Sequence, residues 1–173
     1  MLTRRAILTD ALQIHELIAN YSHDGTLLPR SLPEICENVR DFVVAVNEDD
    51  GQIFGCGALH LYGTHLTEVR SICVSPAAKG RGAGAAVVTA LLQEAELHQV
   101  GCVCLFTRIP EFFAKFGFRV AQREELPDKI YKDCLKCPRL HACDEIAMVR
   151  GELPKVAILG QYPASVPLVK LQI

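Results

Sequence analysis

The sequence predicts one α/β (α+β) domain, and three observations carry that prediction. A chain of 173 residues is long enough for one domain with a real core and too short for two of ordinary size. Two extended apolar runs, Phe42 to Val46 and Ile53 to Leu61, flank the polar stretch Asn47-Glu48-Asp49-Asp50-Gly51, the usual chemistry of a hairpin. A third extended run, Leu66 to Val74, leads through a glycine-rich turn into a helical pattern and then a short apolar strand, Cys102 to Phe106, which makes a βαβ-like core.

Taken in chain order, Thr3 to Leu8 is a first strand, and Thr9 or Asp10 caps a helix whose apolar face is Ile14, Leu17, Ile18 and Tyr21, ending near Ser22. Gly25 to Arg30 is a loop. Ser31-Leu32-Pro33-Glu34 opens the next helix as a capping box, with Ile35, Val39 and Phe42 on one face, so Arg30 sits just before a helix N-terminus. After the hairpin and the third strand, Val88, Leu91, Leu92 and Ala95 mark the buried face of the helix that follows the glycines. Pro110 starts a short helix at its first position, with Phe112, Phe113 and Phe116 as its apolar face and Gly117 as its C-cap. Phe118 to Ala121 is a further strand. The pattern is lost in a Cys-containing insertion at 126–143, and Asp144 to Val149 is a last strand. The domain thus spans 1–151. A tail over 152–173, with Pro154, Pro163 and Pro167 among apolar residues, reads as a segment that docks on its own domain or on a second subunit, which would make a homodimer.

Composition narrows the function. Half of the residues are hydrophobic, 22% are charged, and the formal net charge is only -2, which disfavours nucleic acid as a partner. No apolar run reaches the roughly 18 residues of a membrane span, and the first eight residues are too short for a signal sequence because Thr9 and Asp10 interrupt them. A cytoplasmic location and reduced thiols follow. Cys36, Cys56, Cys73, Cys102 and Cys104 lie in apolar segments and read as small core residues.

In Val74-Ser75-Pro76-Ala77-Ala78-Lys79-Gly80-Arg81-Gly82-Ala83-Gly84-Ala85 a strand runs into a helix through three alternating glycines, so backbone N–H groups can approach a phosphate at the helix N-terminus. No Lys-Ser/Thr pair follows the last glycine, and the third glycine of G-x-G-x-x-G is missing, so neither nucleotide fingerprint fits. The competing explanation is a tight turn whose glycines only let helix and strand pack. Lys79-x-x-Gly82-x-Gly84 resembles the R/Q-x-x-G-x-G/A loop of the GNAT superfamily of N-acetyltransferases, with Lys in place of Arg or Gln. Phe112-Phe113-Ala114-Lys115-Phe116-Gly117-Phe118 is similar to the aromatic-rich helix and Gly-Phe that follow later in that family.

The resemblance implies a mixed central sheet splayed in its middle and flanked by helices, with the thioester of acetyl-CoA between the glycine-loop strand and the next one. It places the CoA pyrophosphate on Lys79 to Ala85, with Lys79 and Arg81 adding charge. It places the pantetheine arm on the backbone around Ile72 and Val74, and the carbonyl oxygen near the N–H of Cys73 or Val74. The family's thiolate acid is often a tyrosine at the position of Phe113, which cannot donate a proton. That role stays unassigned among Tyr131, Cys134 and water.

Acetyl transfer needs a deprotonated amine, and Glu68, the only acid on its strand, stands where related acetyltransferases carry a glutamate base; the alternative is an exposed edge glutamate. The period of two puts Arg70 on the same face, either gripping a substrate carboxylate or holding Glu68 ionised, and puts Cys73 with Val69 on the opposite one, where a core thiol is favoured over a covalent nucleophile. The stretches Gly25 to Ser31, Thr67 to Ser71 and Phe112 to Phe118 further resemble the acetyltransferase domain of N-acetylglutamate synthases, in a short form without the kinase-like domain and its arginine feedback site. The acceptor implied is a small amine, glutamate first. Arg30 would help hold its carboxylates, with Arg70 and Arg108 as further cations; for Arg30 a helix-flanking surface role is the alternative. The opposing reading is a degenerate acyl-CoA sensor whose output is the cysteine insertion.

That insertion packs Cys134, Cys137, His141 and Cys143 into ten residues. Structural zinc usually draws two ligands from each of two separated segments, so a complete local site is cramped. Packed reduced cysteines are favoured over zinc or a disulfide, and no metal ligand is assigned.

Overall fold

The computed structural model describes residues 1–153. The docking tail read at 152–173 therefore falls, from residue 154 on, outside the described residues.

Seven strands form one sheet in the order β1-β2-β3-β4-β5-β7-β6. They are β1 (Leu2–Arg5), β2 (Phe42–Val46), β3 (Ile53–Leu61), β4 (Thr67–Val74), β5 (Cys102–Thr107), β6 (Arg119–Val120) and β7 (Ile146–Gly151). Every pairing is antiparallel except β4 with β5, so the sheet is mixed. The helices are α1 (Ala11–Ser22), α2 (Leu32–Glu37), α3 (Ala83–Leu97), α4 (Pro110–Ala114) and α5 (Pro127–Lys132).

Local chemistry sets the boundaries. The first strand stops at Arg5, short of the Leu8 read from sequence, because Asp10 bends the chain there. Its carboxylate accepts the Ile7 N–H at 2.8 Å and two bonds from the Arg4 guanidinium, at 2.7 and 2.9 Å. Asp10 thus holds a 3-10 turn ahead of α1 and makes no side-chain cap on the helix itself. Ser31 does cap α2, accepting the Glu34 N–H at 3.3 Å. In the hairpin between β2 and β3, Gly51 takes φ +72° and donates to the Asn47 carbonyl.

α3 covers one face of the sheet, where Val87, Val88 and Leu91 are fully buried against Val43, Leu59, Val69 and Leu105. α1 and α2 cover the other face, with Ile14, Ile18 and Ile35 against Val44, Cys56 and Ala58. Each such side chain contributes about 1.5–3 kcal/mol by leaving water. Farther along that second face, Leu126 closes over Leu66, Cys102, Cys104 and Val149, which seats the insertion, including α5, on the sheet.

Two irregularities in β4 position the site. The strand pairs with β5 only at Thr67↔Val103 and Glu68↔Cys104, after which the two diverge. Against β3, the register runs from Cys56↔Cys73 to Ala58↔Arg70, so β4 carries one extra residue there, and Ser71 adopts φ +54°. This β-bulge advances the side-chain alternation by one. Cys73 consequently packs with Cys56 on the α1 face, while Val69 packs under α3. Strict alternation put those two residues on one face, opposite Glu68; the bulge brings Cys73 onto the side that carries Arg70.

Candidate active site

Where β4 and β5 part, they leave a cleft of about 530 Å³. One wall is Val69 to Val74, the other Leu105 to Ile109, and the glycine loop with the first turn of α3 closes one end. Tyr21, Phe112 and Phe113 complete an apolar lining. The volume is that of a pocket for an extended small molecule.

The loop presents backbone N–H groups to one end of the cleft. Gly80 and Gly82 take φ +76° and +84°, and a Cβ on either would meet nothing within 4 Å, so it is the backbone conformation that calls for glycine at these positions. Gly84 has a different reason: a Cβ there would lie 3.4 Å from Val74 and 3.6 Å from Phe112, so it permits close packing. The first bond inside α3 runs from Ala86 N–H to the Gly82 carbonyl. The N–H groups of Ala83, Gly84 and Ala85 therefore have no partner within the helix and stand at the positive end of its dipole, facing the cleft that these residues line. Lys79 lines the same end, its ammonium 6.0 Å from the Tyr21 ring. Arg81 lies outside the lining, stacked 5.0 Å over Phe54. The residues present fit a pyrophosphate at this end and an extended apolar arm along β4.

Ile72, Cys73, Val74 and Phe113 line the cleft. Phe113 is a buried core residue, edge-on to Phe112 and Phe118. The Tyr21 hydroxyl donates to the Val74 carbonyl at 2.6 Å, which ties α1 to the strand at the cleft wall. Of the groups weighed as a thiolate acid, Tyr131 is 62% exposed and Cys134 lines a different cavity.

Glu68 sits at the apex where the strands part, only 2% exposed, so it is not an exposed edge glutamate. Its carboxylate meets Lys129 Nζ at 2.7 Å and accepts from the Tyr62 hydroxyl at 2.9 Å. Lys129 also reaches Asp133 at 3.2 Å, and Arg70 Nη1 lies 3.8 Å from the same Asp133 oxygen. Burial alone would lower the Lys129 pKa, but Glu68 and Asp133 outweigh it and raise it above the ordinary lysine value. Asp133 moves the other way: burial raises it, yet Lys129, Tyr62 and Arg70 together hold it below the usual carboxylate range.

The three predicted arginines are brought into one region, with Arg70 as the link. Arg70 lines the main cleft and also a small neighbouring crevice that it shares with Arg30. Arg30 pairs with Glu34 one turn along α2. Arg108 lines the cleft from β5's side, held by Asp144 at 2.8 Å and the Thr26 carbonyl at 2.9 Å. Reading the sequence did not find Tyr62, Lys129 or Asp133. Tyr62 lies outside any periodic run, and the one available signal in the insertion was the i,i+4 spacing of Lys129 and Asp133.

Cys134, Cys137 and Cys143 line a small cavity that adjoins the cleft through Phe106 and Glu145. Arg123 donates to Cys143 Sγ at 2.9 Å, and burial raises the Cys134 thiol above its ordinary pKa. Among the described residues no group of three His, Cys, Asp or Glu side chains is placed to hold a metal ion. No described helix is long and apolar enough to cross a membrane.

Comparison with known proteins agrees with this geometry. Residues 39–120 match the family described as an acetyltransferase (GNAT) domain. An uncharacterized N-acetyltransferase of Chlorobaculum tepidum is 37% identical over 85% of this chain and 94% of its own length. An amino-acid acetyltransferase of Mycobacterium tuberculosis is 40% identical over 66% of each chain. The crystal structure of N-acetylglutamate synthase from Neisseria gonorrhoeae, complexed with coenzyme A and N-acetyl-glutamate, superposes with a TM-score of 0.77 at 26% identity, over 89% of this chain and 35% of that one. The match to the GNAT domain family, together with 37% identity over 94% of the length of an N-acetyltransferase, shows that the chain belongs to the GNAT family and is an N-acetyltransferase using acetyl-CoA.

Proposed function

We propose that this enzyme acetylates the α-amino group of a free amino acid, glutamate first, as an N-acetylglutamate synthase of arginine biosynthesis in the cytoplasm. The observation that carries the reading is Arg70. It is a guanidinium on the wall of the cleft, just past the apex, and it also lines the crevice that contains Arg30. A dicarboxylate acceptor needs two cationic contacts, and a planar guanidinium suits each carboxylate. Arg108, just past the end of the facing strand, gives a third. The gonococcal structure was solved with N-acetyl-glutamate, which supports the same acceptor class.

Acetyl-CoA supplies the activated acetyl group. Lys79 and the N–H groups from Gly82 to Ala85 hold its pyrophosphate, with Gly80 and Arg81 shaping the loop. The backbone of Ile72 and Val74 aligns the arm, and an N–H near Cys73 faces the carbonyl oxygen as it gains charge. Glu68 takes the proton from the amine. Because it is 2% exposed and is not among the residues that line the cleft, one water carries the proton to it.

The test is release of free CoA thiol from acetyl-CoA against a panel of amino acids, a polyamine and a lysine peptide. The expected result is turnover with glutamate and close dicarboxylate or carboxamide analogues. Turnover with the polyamine or the peptide alone would overturn the acceptor assignment.

A further inference from the structure

Tyr62 lies between the ends of β3 and β4, and its hydroxyl is 2.9 Å from Glu68 Oε2 and 2.9 Å from Asp133 Oδ2. A neutral phenol has one hydrogen to give, whereas two ionised carboxylates offer only lone pairs. Only one of the two contacts can be a donated hydrogen bond at any moment. The other is completed when a proton sits on that carboxyl and is donated to the phenol oxygen. The cluster therefore has a place prepared for one extra proton.

Its charges indicate which way that proton moves. With both carboxylates ionised, Lys129 and Arg70 balance Glu68 and Asp133, so a proton arriving on Glu68 leaves a buried region with net positive charge. Glu68 keeps 3% of its side-chain surface and Asp133 keeps 31%, so the route to water runs outward through Asp133. Tyr62 spans the gap between them. Ionisation of the phenol itself does not compete, because burial and then the two carboxylates push it far above its ordinary value.

We infer that Tyr62 is a proton relay, passing the proton that Glu68 takes from the acceptor amine to Asp133 and so to solvent. The inference rests on Glu68 acting as the base. In the step, the O–H bond on the Glu68 carboxyl breaks as the Tyr62 oxygen gains that hydrogen, while the original Tyr62 O–H bond breaks as Asp133 Oδ2 gains its hydrogen. The phenol starts and ends neutral, Glu68 returns to a carboxylate ready for another turnover, and water removes the proton from Asp133. The outer end of the relay, Asp133, and the countercharge Lys129 both come from residues 126–143.

Other ionisable groups face the relay and enter any pH profile. His60 stands edge-on to the Tyr62 ring at 5.0 Å, Lys132 is 5.3 Å over the ring and 2.9 Å from His60 Nε2, and Asp41 lies 3.8 Å from His60. Cys104 on β5 and Cys134 in the insertion are near enough to Glu68 to sense its charge. A solvent isotope effect and rescue by an added proton carrier are therefore more direct readouts than a pH optimum.

The test compares Tyr62→Phe, Asp133→Asn and Glu68→Gln in the full chain, with acetyl-CoA and the best acceptor from the amine panel. For Tyr62→Phe the expected result is a kcat lower by at least about tenfold, an unchanged KM for acetyl-CoA, a larger solvent deuterium isotope effect, and partial recovery of kcat by millimolar formate or azide. Asp133→Asn, at a half-exposed position, should repeat the pattern and stands in should Tyr62→Phe fold poorly. Wild-type kcat in both relay variants, or a loss that neither changes the isotope effect nor responds to formate or azide, overturns the relay. If Glu68→Gln is slow while the relay variants are normal, the base assignment stands and the relay falls. Full activity in Glu68→Gln removes both.

Discussion

Replacing Lys129 by methionine takes the countercharge from a buried carboxylate while keeping most of the side-chain volume. Breaking one half of a buried ion pair costs about 3–5 kcal/mol, because the remaining charge stays desolvated without a partner. Glu68 is close to that limit at 3% side-chain exposure, but Lys129 retains 13% and Tyr62 goes on donating to the carboxylate, so about 3 kcal/mol is the expected loss. In a domain of this size each kcal/mol moves the midpoint by about 2–4 °C, which places the drop at about 6–12 °C. The chain has no tryptophan, so urea and thermal unfolding are followed by far-UV circular dichroism. Glu68→Gln in the Lys129→Met background removes the stranded charge and should recover more than half of the loss, a coupling that an unpaired Glu68 would not show. A Lys129→Met protein within about 1 kcal/mol of wild type, with no recovery in the double variant, would refute the buried-pair reasoning.

Three further outcomes follow from the same structure. Asp10, held below the usual carboxylate range first by its bonds from Arg4 and then by the Ile7 N–H, adds stability above its unfolded pKa of about 3.9 that is lost as pH falls through the lower folded value. Asp10→Asn should therefore be less stable near neutrality and flatten the acid limb of a stability-versus-pH curve; an unchanged limb would contradict it. Lys129, whose folded pKa is raised, contributes in the opposite window: its stabilisation is complete below about pH 10 and declines above, so alkaline unfolding should shift in Lys129→Met. Gly82→Ala meets no atom but forces a side chain to φ +84°, so it should cost about 1–2 kcal/mol and weaken CoA binding measured by calorimetry, whereas CoA affinity equal to wild type would argue against the cradle.

Much of the scaffold was legible because it rests on short-range signals. The strands 42–46 and 53–61 end where the apolar runs end, since the polar loop between them cannot continue a ladder; the aromatic helix, by contrast, ends at Ala114 with Lys115 as its C-cap, and Gly117, read as the cap, takes φ +83° in the turn that follows. The glycine loop was readable for the same reason as the strands. The bulge at Ser71 was not, because serine is an ordinary strand-edge residue and its positive φ arises from the pairing of β3 with β4, which local sequence does not encode. That single extra residue moved Cys73 to the other face. Nor was the partner set of Glu68 legible: Lys129 and Asp133 lie more than sixty positions away, in a segment whose helix α5 is six residues long and too short for a clear period. Charge pairing across such distances is a tertiary property. Arg30 was singled out by resemblance, Arg70 by strand alternation beside Glu68 and Arg108 as a further cation for a dicarboxylate, while their present carboxylate partners, Glu34, Asp133 and Asp144, emerged only from the fold.

The proposed mechanism turns on Glu68 as the proton acceptor where β4 and β5 part, and Glu68→Gln tests it most directly. The measurement is single-turnover acetyl transfer at saturating acetyl-CoA and acceptor, alongside CoA affinity by calorimetry. Loss of a general base should lower the rate by about 10²–10⁴ with the CoA dissociation constant unchanged, because the amide keeps the shape and the Tyr62 contact while giving up the basic oxygen. A rate within a few-fold of wild type would contradict the account.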